Sequence, residues 1–299
     1  MRALTGYLWL ISAIAGTGQT DPAADLIRDG HWKRARRIVE ARLKEAPNDA
    51  AAHFYLSQIR NAFGDHQSPL ALAERAVALD GNVARYHRQI AEVLGVMAQR
   101  SNALQQLFLA RRFRKEIDAA LAIDPRDVQA LRDLTEFYLL APSVLGGDRR
   151  KAEATAGRIY AIDAAEGCLA QARAAQDPLP WLEKSVDVQP PSYRARIALA
   201  QFYLDRTPPD FNAAEAAARS GVQLTPGRVE AYTLLAEVYA AQARWSELDA
   251  TLEESARRVP DDLTPYYRAA ARIHDPTRAD RYLHIYFSQE PEGNAPTRK

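Results

Sequence analysis

The feature that most constrains this chain is a period. Segments of one composition return along it, among them RIVEARLKEAP, ALAERAVALDG, KEIDAALAIDP, AAARSGVQLTP and TLEESARRVP. The residues that close these segments and their counterparts are Pro47, Gly81, Pro125, Ala164, Pro190, Pro226, Pro260 and Pro291, with spacings of 34, 44, 39, 26, 36, 34 and 31. A recurrence of this length marks a stacked-repeat architecture, in which a unit too small to bury its own apolar face buries it against the next one.

Inside each unit the apolar period is helical. His87, Ile90, Ala91 and Leu94 fall at i, i+3, i+4 and i+7, as do Leu131, Leu134, Thr135 and Tyr138, and then Tyr232, Leu235, Ala236 and Tyr239. That spacing lays one stripe along a helix and does not fit the alternation of a strand. A second stripe follows in each unit, for example Trp245, Leu248, Leu252 and Ser255. Each unit is therefore expected to be two helices joined by a turn, and the chain all-α. The third unit, Ala84 to Pro125, is long but keeps helical spacing at Leu104, Leu107 and Phe108, so longer helices are expected there rather than a loose insert.

The stretch VEAYTLLAEVYAAQARWSELDATLEESARRVPDD, residues 229–262, resembles the tetratricopeptide repeat. It has an early aromatic, a Leu-Ala pair, Tyr239, an aromatic at Trp245 opening the second helix and Pro260 closing it. Ala91, Ala200 and Ala236 stand where that family places its smallest residues. The resemblance implies a right-handed α-solenoid of about seven to eight helix pairs over residues 21–291. EGNAPTRK, residues 292–299, departs from the pattern with no capping helix and is expected to be a disordered tail. The resemblance also implies a concave groove, lined by the first helices, that holds a protein or peptide partner.

One turn is too long for this pattern. In FYLLAPSVLGGDRRKAEATAGRIYAID, residues 137–163, Pro142 stops a helix, Gly146 and Gly147 allow positive φ, and Asp148 can cap the helix that follows. Val144 and Leu145 are then left on a protruding loop, to fold back or to meet a partner. The LGGD loop before an alanine-rich helix resembles one in secreted bacterial tetratricopeptide proteins and in the T-component of tripartite periplasmic transporters. A transport accessory that binds a small solute or a solute-binding protein is the alternative function this implies.

Charge and motifs exclude more than they assign. With 39 basic and 38 acidic residues, no net field points to nucleic acid or to a membrane surface. No zinc-binding H-E-x-x-H, P-loop or nucleophile-elbow pattern occurs among the 299 residues, so no catalytic residue, cofactor or metal is expected. His53 and His87 sit at aromatic positions of first helices and read as satisfied interior residues. Cys168 is the only cysteine, which forbids an internal disulfide, and reads as a small half-buried side chain. The start, MRALTGYLWLISAIA, has a lone Arg, an apolar run and an Ala-Ile-Ala ending, the pattern of a secretory signal cleaved after Ala15; a retained anchor is the alternative. Export to the periplasm or beyond is the expectation that follows.

The resemblance to the tetratricopeptide repeat also implies that groove residues lie one or two places from the core positions of each first helix. That puts Arg85, Arg88 and Glu92 on one strip and Arg132 and Glu136 on the next, with Arg88 and Arg132 equivalent in adjacent units. Paired guanidinium groups suit a carboxylate-bearing peptide; i, i+4 pairing of Arg88 with Glu92 and of Arg132 with Glu136 is the competing arrangement. The basic residues of HWKRARRIVEARLK are expected on a solvated helix face.

Overall fold

The computed structural model describes residues 21–65, 68–188, 192–293 and 295–297, and among them the regular structure is helical. Sixteen α-helices form eight antiparallel pairs: α1 (Pro22–Arg28) with α2 (Trp32–Glu45), α3 (Ala50–Ala62) with α4 (Ser68–Leu79), α5 (Ala84–Gln99) with α6 (Ala103–Ile123), and α7 (Val128–Leu140) with α8 (Arg149–Tyr160). The second half repeats the plan with α9 (Ala164–Ala174) and α10 (Leu179–Val188), α11 (Tyr193–Asp205) and α12 (Phe211–Leu224), α13 (Val229–Ala241) and α14 (Trp245–Arg258), and α15 (Thr264–Ala270) and α16 (Pro276–Tyr286). This is the solenoid of stacked helix pairs that the repeat implied. The proposed signal, residues 1–15, lies outside the described residues.

Local chemistry sets the helix starts. Asp21, Asp49, Asp127, Asp148, Asp163, Asp210 and Asp275 each stand at an N-cap and accept a backbone N–H of the first turn, satisfying donors that the helix itself leaves open. A second device recurs six residues apart. The ring nitrogen Nε2 of His53 lies 2.9 Å from the carbonyl of Pro47 and that of His87 3.2 Å from Gly81, while the Tyr232 hydroxyl donates to Pro226 at 3.2 Å. Each ties a first helix to the turn that precedes it. His87 is satisfied at both ring nitrogens, as expected, since its Nδ1 also meets Glu116 at 2.8 Å, whereas the buried Nδ1 of His53 has no partner among the described residues.

First helices of successive pairs pack with their backbones close together, whereas second helices reach one another only through long side chains, as Arg112 of α6 does with Glu74 of α4 and Arg278 of α16 with Asp249 of α14. The first helices thus form the tight inner layer and the second helices the splayed outer one, which curves the stack. Close approach depends on small residues: Ala91, Ala200 and Ala236 are fully buried, and a Cβ on Gly167 would sit 2.2 Å from the Cα of Tyr160. Cys168 beside it is fully buried, not half-buried as expected.

The third pair has the longer helices that its spacing predicted, with α6 running for 21 residues. In the long turn after α7, Ser143–Leu145 make one turn of 3-10 helix, and Gly146 takes a φ of 98°. Gly147 is needed for another reason than the expected positive φ: a Cβ there would lie 1.7 Å from the carbonyl oxygen of Ala141. Asp148 caps α8 through the N–H groups of Arg150 and Lys151.

The two ends of the solenoid meet, and two sequence expectations fail for that reason. The tail is not disordered over its described part: Glu292 is 2% exposed, its carboxylate accepts the backbone N–H of Lys33 at 2.9 Å, and Gly293 sits against Trp32 and Ala62. The basic face of α2 is likewise not simply solvated. Lys33 donates to the Glu290 carbonyl at 2.6 Å, Arg36 makes a bidentate pair with the Glu290 carboxylate at 2.8 and 3.2 Å, and Arg42 bonds Asp21 and Asp49. His31 meets Asp261 at 2.8 Å, joining the turn of the first pair to the turn before the last. Burial, opposed by Lys33, pushes the Glu292 carboxyl up to about 7.

Candidate partner-binding site

The inner face carries a row of charged side chains, one or two from each of several consecutive first helices. On α5, Arg88 is only 3% exposed and reaches Glu92 at 3.8 Å, and Glu92 also accepts from Asn61 of α3 at 3.3 Å. On α7, Arg132 bonds Gln129 at 3.1 Å and faces Glu166 of α9 at 3.8 Å. Glu166 is shared: its other oxygen lies 3.2 Å from Arg194 of α11. Next along, Glu230 of α13 accepts from Arg228 at 2.8 Å and from the Tyr193 hydroxyl at 3.0 Å, with the Arg228 guanidinium 4.3 Å above the Tyr193 ring.

Crowding of these groups shifts their ionisation. Burial raises Asp133 of α7 to about 7; Arg88 and Arg132 oppose the rise, and Glu92 and Asp127 add to it. Glu92 is raised by burial against the pull of Arg88 and Asn61. Burial and the repulsion of Arg132 bring Arg194 down to about 10, with Glu166 opposing, so it keeps its charge at neutral pH. Several buried atoms of the row have no hydrogen-bond partner among the described residues: Nε and Nη1 of Arg88, Oδ2 of Asp133 and Oε2 of Glu166. Buried polar groups are ordinarily satisfied, so such a run of unmet donors and acceptors on one face calls for a reason.

The expected site residues divide accordingly. Arg88, Glu92 and Arg132 come together around Asp133, but Arg88 is buried and does not stand on an exposed strip as anticipated. Arg85 is half-buried, its guanidinium 5.6 Å from the Phe54 ring centre and 5.5 Å from that of Tyr86. Glu136 does not pair with Arg132; it takes both arms of Arg173 from α9 at 2.8 and 2.9 Å. Val144 is 85% exposed on the edge of the solenoid, away from the row, and Leu145 is half-buried beside it.

Sequence reasoning missed Asp133, Glu166 and Arg194. A signal for the first existed, since Asp133 follows Arg132 as Gln89 follows Arg88, a polar pair at the same two positions of adjacent units. Among the described residues no group of three or more His, Cys, Asp or Glu could hold a metal ion. No described helix is long and apolar enough to cross a membrane.

No protein-family model matches the chain, and no curated protein matches it. Among solved structures it is similar to a thermophilic tetratricopeptide protein of Thermus thermophilus, at 16% identity over 76% of this chain and 95% of that one, with a TM-score of 0.46. It is also similar to a tetratricopeptide repeat protein of Parabacteroides merdae, at 13% identity over 89% of this chain and 96% of that one, TM-score 0.42. A third is PilF of Pseudomonas aeruginosa, at 13% identity over 72% and 93%, TM-score 0.40.

Proposed function

We propose that this chain is an exported, non-catalytic scaffold that holds a protein or peptide partner against the inner face of its first helices. The observation that carries the reading is the half-buried part of the charged row, Arg132, Asp133 and Glu166, where Asp133 Oδ2 and Glu166 Oε2 have unmet hydrogen bonds. Each such group costs about 1–3 kcal/mol when left unpaired in the folded protein. A polypeptide supplies carbonyl acceptors and N–H donors in alternation, so one extended segment could serve the arginines and the carboxylates together. The near balance of guanidinium and carboxylate groups along the row favours a polar segment over a strongly charged one. Export is supported by the pattern of residues 1–15, with cleavage after Ala15 and a destination in the periplasm or beyond.

The test is capture of a stoichiometric partner from envelope extract on the immobilised full chain, beside a thermal-shift screen of small solutes. Arg132→Gln and Glu166→Gln alter half-buried members of the row, and each is expected to weaken the captured partner by about 1.5–3 kcal/mol while the far-ultraviolet circular dichroism stays that of the parent. Affinity unchanged in both variants sinks the reading. A stabilising small solute with no protein partner would favour the transport-accessory alternative instead.

A further inference from the structure

The edge of the solenoid that carries the long turn presents apolar side chains at an outward-projecting tip. Leu104 and Phe108 near the start of α6 are 65% and 61% exposed, and Leu140 and Val144 at the end of α7 and in the turn are 67% and 85% exposed. They belong to one end of the molecule. Phe113 of α6 stacks on Phe137 of α7 with ring centres 5.7 Å apart, so the chain beyond each, toward Leu104 on α6 and toward Leu140 on α7, runs to the same edge, where the 3-10 turn touches α6. By helical rise, Leu104 stands about 14 Å beyond Phe113.

Basic residues lie directly behind this tip. Leu104, Phe108, Arg111 and Lys115 follow one another at i, i+4, i+7 and i+11, a single exposed stripe of α6 that changes from apolar to basic as it leaves the edge. Arg111 falls about 4.5 Å and Lys115 about 10.5 Å behind Phe108 along the axis. On the other side, α8 opens with Arg149, Arg150 and Lys151 and no acidic residue in its first turn, although the positive end of a helix disfavours cations. Glu74 and Glu153 are each taken by an arginine, Arg112 and Arg149.

The geometry points to an anionic membrane surface as the partner of this edge, with Leu104, Phe108, Leu140 and Val144 entering the acyl boundary and Arg111, Lys115 and Arg150 meeting lipid phosphates. The depth order decides between partners. Each polar layer of a bilayer is about 5–8 Å thick, which matches the offset from the apolar tip to the first basic residues. A helix from another protein would instead need an apolar groove, whereas the helix start and the turn form a convex tip. Exposed apolar groups combined with basic ones are the combination that holds proteins to anionic interfaces.

The experiment uses the full chain with an environment-sensitive fluorophore at Val144→Cys, or at Asn82→Cys on the opposite edge as control. Cys168 is fully buried and leaves the introduced thiol as the labelled one. On vesicles of phosphatidylcholine containing phosphatidylglycerol, the label at position 144 is expected to shift to the blue and to be quenched by acyl-chain nitroxides, and the label at 82 to stay in water. Vesicles of phosphatidylcholine alone should give neither change. Replacing Arg111 and Arg150 by Ala should weaken partitioning roughly fivefold for each, with the circular dichroism unaltered. The proposal is overturned by a label at 144 that stays in water on bound vesicles, or by absence of binding to the anionic vesicles. It is equally overturned by insertion that ignores lipid charge, or by a blue shift without vesicles that grows with protein concentration or with added acidic peptide, which would mark a protein contact.

Discussion

At the scale of single residues, two helical glycines have opposite roles. Gly157 is exposed on α8 and a Cβ there meets nothing within 4 Å, so Gly157→Ala is expected to stabilise by about 0.5–1 kcal/mol through helix propensity. Gly167 gains the same propensity, but its Cβ would press on the backbone of Tyr160 at 2.2 and 2.4 Å. Neither backbone can yield locally, so overpacking wins and Gly167→Ala should cost about 1–3 kcal/mol; chemical denaturation of the two variants against the parent checks both signs. Asp133 provides a pH test. Its carboxyl is raised from 3.8 to about 7 by burial, with Glu92 and Asp127 adding and Arg88 and Arg132 opposing. A raised acid favours the folded state below the unfolded pKa, and that contribution is lost as pH climbs from about 4 through about 7. Asp133→Asn has no such slope, so its stability relative to the parent should rise across that window and level off above it. A difference that is flat from pH 4 to 8 would show that the carboxyl ionises normally.

At the scale of elements, α6 is the outlier. Its first turns extend past the neighbouring pairs, yet Asn102 caps it by accepting the Gln105 N–H at 3.0 Å, and Phe113 fastens it to α7. Continuous helical hydrogen bonding should protect the backbone even where the side chains are bare. Limited trypsin treatment of the native protein is therefore expected to spare the bonds after Arg111, Arg112, Arg114 and Lys115, despite four sites within five residues. Early cleavage there, read by mass spectrometry of the fragments, would mean that the segment is not a formed helix. The turn between α7 and α8 has a different logic: Gly147 and Asp148 close it through backbone proximity and a cap, leaving Val144 outside without strain on the helices.

At the scale of the whole molecule, the meeting of the two ends distinguishes this solenoid from an open stack. Among the described residues the junction includes Arg36 and Lys33 with Glu290, the Lys33 N–H with Glu292, His31 with Asp261, and Gly293 against Trp32 and Ala62. Exposed pairs such as Arg36–Glu290 contribute little alone, but the buried Glu292 carboxyl adds a hydrogen bond from the Lys33 N–H at the start of α2. Removing residues 290–299 should lower stability by on the order of 1–3 kcal/mol. The same deletion should speed hydrogen exchange in α1 and α2 while leaving α7–α12 as in the parent. Gly293→Val, which leaves the tail in place but crowds Trp32 and Ala62, should do the same in weaker form. Unchanged exchange in α2 for both would show that the ends do not hold each other.

Helix pairing, repeat length, the Asp148 cap and the long third unit were legible in the chain because they depend on residues within about forty positions of one another. The period of apolar residues, the proline stops and the seven capping carboxylates express local sterics and local hydrogen bonding, and these act the same way in any context. Arg88, Glu92 and Arg132 were legible as neighbours for the same reason, being at matching positions of adjacent units. Their burial was not, nor was the sharing of Glu166 between Arg132 and Arg194, because curvature sets how closely successive first helices approach. The tail was misread most clearly. Taken alone, residues 292–299 are short, polar and without period; the described part is held at Pro296 by the nearby Tyr286 hydroxyl and at Glu292 and Gly293 by Trp32, Lys33 and Ala62, about 230 to 260 positions away in the chain. Small rotations summed over eight helix pairs bring those surfaces together, and a sum over the whole stack is not a property of any local stretch.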